Sequence, residues 1–439
     1  MSEINAGVEF NFSFAPGITD DQALGFEIAG DIWSQHLADS YQGQNLEINI
    51  YVEATDDLLP DNVVGGSFPA IATGIKYQDI YDAIQDDVTT DIDLVVADSL
   101  LDQSKIDVLV GGEVVDQNFK THITTANMKA LGMIAGDSPE LDGYILLNNF
   151  EGSLWTYDYL DTPQDGTLDF LSMAQHEIGH VLGFISGANH TEETVDHKIT
   201  DITTMDLFRY SEESIAMGIN DLTYGKTAFL SIEGQESILQ LTTGTDHQVG
   251  HLAESEDHDH ALMSPTISLA ERWSITGDDL LVLDAIGWDV VNPGTIDMAA
   301  IYQNAQAEIE SVQIVDRRID VEHYILSGDA YNWGSTGSTS SSGGWWWGST
   351  GSTSSSGGWW QKGYFMEVES TTDSATEETH HHTDEVYFSK FWKSLEIIQN
   401  WFEDNWGDKW WQKDSSDKWW ESNSGYRWEN NSDYRWWDK

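Results

Sequence analysis

The chain has 439 residues, no cysteine and a formal net charge of −57 at pH 7. Without cysteine there are neither disulfides nor thiolate ligands, so a transition-metal site must use histidine and carboxylate, which suits zinc. The negative field repels nucleic acid and no apolar run is long enough to span a bilayer, so we expect neither a nucleic-acid partner nor a transmembrane segment.

The first part of the chain predicts strands and helices in alternation. The segment 8–14 alternates apolar with polar residues, as in a strand with one buried face. Thr19, followed by Asp20 and Asp21, is a helix start signal. The predicted elements are a strand at 8–14, a helix at 19–37, a strand at 46–52, a helix at 77–88 and a strand at 142–149. This order predicts an α+β fold in which helices pack on a twisted sheet.

Residues 168–184, LDFLSMAQHEIGHVLGF, predict the helix that carries the chemistry. An apolar stripe at helical spacing should pack into the core. Its members are Leu171, Ala174, Ile178 and Val181. At about 100° per residue, His176 and His180 fall on the opposite side, so we expect this face to present two imidazoles to a cleft.

Two histidines four positions apart on a helix point the same way and can bind one metal ion. Glu177, between His176 and His180, then lies where it can accept a proton from water and pass it to a leaving amine. The motif therefore predicts two metal ligands and a general base.

The third ligand is not evident from the motif. Gly183 allows the helix to stop and the chain to turn, so the ligand can come from beyond the turn. The side chains that remain open are, in chain order, His190, Glu192, Glu193, Asp196, His197, His247, His251, His258 and His260.

Further elements follow the motif. Residues 227–241 predict a hairpin around Glu233 and Gly234. Residues 274–290 predict a helix with Thr276 as its N-cap and Asp279 in the capping-box position.

Composition divides the chain into three predicted parts. They are a domain that contains HEIGH at 1–292, an amphipathic helical linker at 293–328 and a low-complexity tail at 329–439. In the tail, WGSTGSTSSSGGWW occurs at 333–346 and again at 347–360. Elsewhere in the tail, aromatic residues stand beside Lys and Arg. These residues could mediate surface contacts, glycan binding or self-association.

Several segments resemble the metzincin superfamily of zinc peptidases, in particular leishmanolysin-like members and a group of bacterial metalloproteases. The segments are GVEFNFSF, IYVEA, HEIGHVLGF, DLFRYS, QVGHL, ALMSPT and DLLVLDAIGWDV, within about residues 5–292. The resemblance implies a metzincin-like fold with an upper α/β subdomain and an irregular lower one. It also implies a methionine turn beneath the zinc, at Met263.

The resemblance also bears on the third ligand. The compact metzincin signature would place a histidine where this chain has Ser186, which is a poor zinc ligand. In leishmanolysin-like members a long insertion precedes the third histidine, which implies His251 in QVGHL. Leu252, where an aromatic residue is expected, departs from the pattern. His190, His247 and His260 therefore stay open as alternatives.

These observations predict a zinc-dependent endopeptidase that acts on proteins or peptides. The acidic surplus suits a calcium-rich medium, so calcium is a second candidate cofactor. The alternative is a non-catalytic surface, adhesion or assembly protein that keeps a protease-like fold and acts through its aromatic tail. We expect an extracellular or cell-surface location, although the N-terminus has no visible signal peptide.

Two smaller expectations concern the sheet and a nearby pair of charges. Tyr144–Leu147 could be an edge strand that aligns an extended peptide, or an ordinary strand inside the sheet. Asp206 and Arg209 are expected to form a structural ion pair rather than to act in catalysis.

Overall fold

The computed structural model describes residues 6–56, 59, 62–102, 104–150, 154–190, 202–245, 247–254, 260–309, 311–316 and 364–368. The strands are β1 (Val8–Phe14), β2 (Ser40–Tyr41), β3 (Gln44–Thr55), β4 (Val63–Pro69), β5 (Ile71–Lys76), β6 (Ile106–Val110), β7 (Glu113–Asn118), β8 (Lys120–Thr124), β9 (Gly143–Asn148), β10 (Trp155–Thr156), β11 (Leu168–Asp169), β12 (Arg209–Tyr210), β13 (Asn220–Asp221), β14 (Ala228–Leu230), β15 (Leu239–Leu241), β16 (Thr266–Ile267), β17 (Gln313–Ile314) and β18 (Tyr364–Val368). The α-helices are α1 (Asp20–His36), α2 (Tyr77–Asp86), α3 (Asp91–Ser99), α4 (Thr125–Ala130), α5 (Phe170–Leu182), α6 (Glu212–Met217), α7 (Gly277–Ala285) and α8 (Met298–Ile309). The predicted mixed α+β class is confirmed. Among the described helices, none is long and apolar enough to cross a membrane.

The main sheet brings strands from distant parts of the chain together. Its order is β17–β1–β3–β9–β4–β18–β16, with β2 paired to β3. Strands β1, β3 and β9 are parallel neighbours, whereas β4 runs antiparallel to both β9 and β18. Parallel neighbours need a crossover connection, and α1 supplies it between β1 and β3.

The first strand and helix form as their sequences predict. Strand β1 buries alternate side chains. At the start of α1, the Thr19 hydroxyl accepts the Gln22 amide hydrogen at 3.2 Å, and the Gln22 side-chain oxygen accepts the Thr19 amide hydrogen at 2.9 Å. This reciprocal capping box satisfies two backbone donors at the helix terminus.

A chain of aromatic rings joins β1, α1 and α5. The ring of Phe26 lies 5.8 Å from that of Phe12 and 5.7 Å from that of Phe170, between ring centroids. The Trp33 indole also donates to the backbone oxygen of Gln175 at 3.0 Å. These contacts fix α5 beside α1 on the sheet.

A buried ion pair sets the beginning of β9. Lys129 Nζ lies 2.7 Å from the Asp142 carboxylate, and both side chains are about 1% exposed. The same carboxylate accepts the Asn49 amide hydrogen and the Thr125 hydroxyl, so it ties β9 to β3 and α4. Burial raises the pKa of Asp142, and Lys129 acts in the opposite direction.

The predicted peptide-binding edge is wrong. Tyr144–Leu147 lies in β9, which is paired with β3 on one side and β4 on the other. The alternative, an ordinary strand inside the sheet, is confirmed. Strand β4, the neighbour of β9, pairs with β18 along its other edge. A period-two pattern reports which face of a strand is buried and not which strands are neighbours, so it cannot identify an edge.

The later predicted elements are present with shorter bounds. The predicted hairpin is the antiparallel pair β14–β15, and Thr276 caps α7 with Asp279 in the capping box. Helix α8 covers only the first part of the predicted linker. Residues 317–363 and 369–439 lie outside the described residues, so the predicted domain boundaries stay predictions.

We expect Gly25→Ala to lower the free energy of unfolding by about 1–3 kcal/mol. A Cβ at this position in α1 would lie 2.5 Å from both the Phe170 ring and the Tyr159 hydroxyl. Gly277→Ala is the matched control, because a Cβ there meets nothing within 4 Å. Urea denaturation of both variants checks this, and equal midpoints would contradict it.

A cluster of carboxylates lies where α7 ends, facing the segments after α1 and α2. Burial, followed by the charge of Asp289, raises the pKa of Asp87 to about 8. Burial also raises the pKa of Asp284 to about 7 and holds the pKa of Asp39 well above its usual range. The folded protein therefore binds protons more tightly than the unfolded chain between about pH 4 and pH 8.

This cluster predicts that the protein becomes more stable on mild acidification. A carboxyl whose pKa is raised by folding contributes stability at low pH and loses it as pH rises through the folded value. The melting temperature should be several degrees higher at pH 6 than at pH 8. Asp87→Asn should reduce that difference, whereas Glu236→Gln, which removes an exposed carboxylate, should not. Calorimetry at both pH values measures the difference in melting temperature. Equal pH dependence in the two variants would contradict the contribution of the carboxylate cluster to stability.

Candidate metal centre

Helix α5 is fixed at both ends. At its start, the Asp169 carboxylate accepts the Ser172 amide hydrogen at 3.0 Å and pairs with Arg272 at 2.7 Å. At its end, Gly183 adopts φ +123°, a backbone conformation that favours glycine. The chain turns there as the sequence predicts.

The two helix histidines are oriented by backbone carbonyls. His176 Nδ1 lies 2.8 Å from the Leu262 oxygen, and His180 Nδ1 lies 2.7 Å from the Phe184 oxygen. A carbonyl can only accept, so each Nδ1 carries the hydrogen and each Nε2 is left with a free lone pair.

His251 reaches the same place from a remote loop. Its backbone oxygen accepts the Thr242 amide hydrogen at 3.1 Å, and the next residue, Leu252, donates its amide hydrogen to Met263 at 2.9 Å. Its Nδ1 lies 3.0 Å from the Gln248 oxygen, so its Nε2 is also unprotonated.

The three Nε2 atoms converge. His180 Nε2 lies 3.1 Å from that of His176 and 3.2 Å from that of His251. Three imidazole nitrogens bound tetrahedrally to zinc at about 2.0–2.1 Å lie about 3.3 Å apart, so the spacing fits. Facing lone pairs repel one another unless a cation lies between them. The buried triad of His176, His180 and His251 could therefore hold a metal ion.

Burial keeps these imidazoles neutral. It lowers the pKa of His176 to about 4 and that of His251 to about 3, and it holds the pKa of His180 well below its usual range. Neutral imidazole is the form that binds a metal, so the site is ready to do so near neutral pH.

Glu177 lies next to the backbone of strand β4. A Cβ at Gly65 would lie 3.0 Å from Glu177 Oε1, a close contact that glycine avoids. The residue is fully buried, and neither of its oxygens makes a hydrogen bond of normal geometry. Burial raises its pKa well above the usual range, and the backbone amide of Met366 acts against this shift.

Met263 packs against α5 between the two helix histidines, at Gly179, and its role as a methionine turn beneath a zinc ion stays a prediction. It packs so closely on α5 that a Cβ at Gly179 would overlap its sulfur atom. The Asp279 carboxylate accepts the amide hydrogens of Leu262 at 3.0 Å and Met263 at 2.9 Å. Asp279 thus caps α7 and also holds the turn that orients His176.

Ser186 stabilises the loop after α5. Its hydroxyl donates to Asp206 at 2.6 Å, and the same carboxylate accepts the Gly187 amide hydrogen at 2.8 Å. Asp206 and Arg209 form no contact ion pair among the described residues: Asp206 bonds to this loop and to Thr203, whereas Arg209 donates to the Thr242 backbone oxygen. The two still interact through space, because burial lowers the pKa of Arg209 and the charge of Asp206 acts against this shift. Asp206 is structural, as expected, but through a different partner.

The alternative ligands lie elsewhere or outside the described part of the chain. His247 is about one-third exposed and lies 3.7 Å from Glu367. His260 is exposed and stacks on Trp273, with ring centroids 5.0 Å apart. His258, residues 192–197 and the side chain of His190 are not among the described residues.

The imidazole-bearing face of α5, which we expected to border a cleft, is covered in this structure. Every residue of α5 is buried, including the face that carries the imidazoles. The Tyr364 ring stacks on that of His180 with centroids 4.8 Å apart. Sequence reasoning missed this residue because it lies in the predicted tail. The only available signal was the apolar alternation of YFMEV at 364–368.

Comparison with known proteins adds no relative: no family model, no curated protein and no solved structure matches the chain. What the chain does must therefore be argued from its own residues.

We expect zinc to stabilise the wild-type protein by about 2.7 kcal/mol when free zinc is 100 times its Kd. His251→Ala should lose most of this stabilisation, because it removes one of three converging nitrogens. His247→Ala is the matched control and should respond to zinc like the wild type. Melting temperatures with and without zinc measure the response. A zinc response lost in His247→Ala and kept in His251→Ala would refute the assignment.

Proposed function

We propose that the protein is a zinc-dependent endopeptidase of the metzincin type. The observation that carries the proposal is the convergence of three unprotonated imidazole nitrogens beside a carboxylate that faces the backbone of β4. The long step from His180 to His251, 71 positions, and the turn at Met263 support a leishmanolysin-like arrangement.

Zinc fits this site better than calcium does. Imidazole nitrogen is a preferred zinc ligand, whereas calcium takes oxygen ligands. When bound, zinc polarises a carbonyl group and makes water acidic enough to ionise near neutral pH. Three protein ligands leave a fourth position for water or substrate, as catalytic zinc sites require.

Glu177 supplies the proton transfers. Its carboxylate accepts a proton from the attacking water and passes it to the nitrogen of the leaving amine. Its position against Gly65 sets it beside the strand to which a peptide backbone would pair.

Strand β4 supplies the alignment. An extended peptide that pairs antiparallel with β4 gains backbone hydrogen bonds whatever its sequence. Its backbone would then pass over Glu177 and His180. This geometry suits an endopeptidase, since it leaves both ends of the peptide free. We place such an enzyme outside the cell or at its surface, because a broad peptidase is hazardous in a cytosol.

We expect Glu177→Gln to lower kcat/KM for a peptide substrate by about 10²–10⁴, because it removes the general base. Zinc content should not change, since the three histidines remain. Glu233→Gln, at an exposed position, is the control and should cleave like the wild type. Cleavage of a quenched fluorescent peptide and zinc analysis of each variant provide the measurements.

Bound zinc without any Glu177-dependent cleavage would oppose the proposal. That result would favour the alternative, a non-catalytic surface, adhesion or assembly protein that acts through its aromatic tail.

A further inference from the structure

Strand β18 fills a slot that other parts of the chain build. On one side it pairs antiparallel with β4, with Tyr364 opposite Ser67 and Met366 opposite Gly65. On the other side it pairs parallel with β16, which follows the methionine turn. The slot is therefore one strand wide, and its occupant comes from much later in the chain.

The buried face of β18 covers the candidate metal centre. Tyr364 stacks on His180, and its hydroxyl bonds to both the backbone nitrogen and the backbone oxygen of Ser186, each at 3.1 Å. A Cβ at Gly250 would lie 2.6 Å from the Tyr364 ring, so glycine makes room for it. Met366 is fully buried, and its backbone amide faces Glu177.

The opposite face of β18 completes a row of aromatic rings. Phe365 meets Phe68 edge to face, with centroids 5.8 Å apart, and Phe68 in turn stacks on Tyr144 at 5.5 Å. The Phe365 amide also donates to the Gln248 side chain at 3.1 Å. Both faces and both edges of β18 are therefore in contact with other parts of the protein.

We propose that Tyr364–Val368 is an internal occupant of the peptide-binding slot, which keeps the metal centre closed until the segment leaves. This inference rests on the proposed function for the identity of the ligand, an extended peptide. The segment lies where that peptide would lie, and with it in place the histidines and Glu177 are inaccessible. Because the occupant belongs to the same chain, its binding is intramolecular, and an external peptide must compete with it.

The Tyr364 pocket also indicates which peptides compete best. It offers an imidazole face to a ring and two backbone groups to a hydroxyl. A tyrosine two positions before an apolar residue reproduces the Tyr364–Met366 pattern. Peptides of this kind should enter the open slot more readily than peptides without an aromatic residue.

The experiment uses the full chain with the occupant weakened. Tyr364→Ala removes the ring stack and both hydroxyl bonds, and Tyr364→Ala/Met366→Asp also puts a carboxylate at a fully buried position of β18. Tyr302→Ala, the same substitution at a partly buried position of α8, is the control. Circular dichroism checks folding, and the single variant remains informative if the double variant does not fold.

The first readout does not need activity. A labelled synthetic peptide with the sequence of residues 361–370 is added to the metal-free protein, and binding is followed by fluorescence anisotropy. We expect at least a tenfold gain in affinity for the Tyr364 variants over the wild type, since stacking and two hydrogen bonds are lost from the internal competitor. Tyr302→Ala should match the wild type.

The second readout is cleavage of a tyrosine-containing peptide by the zinc-loaded variants. We expect kcat/KM to rise about tenfold or more in Tyr364→Ala and to fall again when Glu177→Gln is added. Stronger peptide binding with no cleavage by either the wild type or the variants supports the internal occupant and counts against the peptidase. No gain in binding by either folded variant overturns the internal occupant, and so does a wild type that cleaves while zinc-loaded Tyr364→Ala does not.

Discussion

Three neutral imidazoles held with their lone pairs facing one another are the constraint on which the rest of the structure depends. Each ring is oriented by one backbone carbonyl, and the carbonyls belong to Leu262, Phe184 and Gln248. Phe184 lies in the loop after α5, whereas Gln248 and Leu262 lie in the long connection between β15 and β16. A metal site of this kind therefore needs not only one well-placed helix but also loop segments placed to within a hydrogen bond.

Buried carboxylates hold those loops. Asp206 fixes the loop after α5, Asp279 fixes the turn at Met263, and Asp169 anchors the start of α5. Each accepts backbone amide hydrogens, which are strong donors to a charged acceptor. The acidic composition is therefore not only a matter of surface solvation. Part of it replaces the regular secondary structure that these irregular loops lack.

Local sequence patterns predicted the elements that depend on near neighbours. Thr19 and Thr276 identified helix starts, and HEIGH identified the helix that carries two of the converging histidines. Non-local pairing could not be predicted in this way. Strand β4 contains Gly65 and Gly66 in place of an apolar alternation, and β18 is a short segment in a stretch read as tail. The approach of His251 was implied by a resemblance, since spacing alone left the third ligand open.

The pairing of β18 with β4 also affects how copies of the protein can associate. When the strand leaves, β4 presents unpaired backbone donors and acceptors, to which the same strand of another copy is complementary. Reciprocal exchange between two molecules would close a domain-swapped dimer, whereas exchange in one direction would build an open-ended chain of molecules. A high local concentration of the protein would then favour pairing of β4 in one molecule with β18 of another. The metal centre of the first molecule would be covered again, even after its own β18 has left.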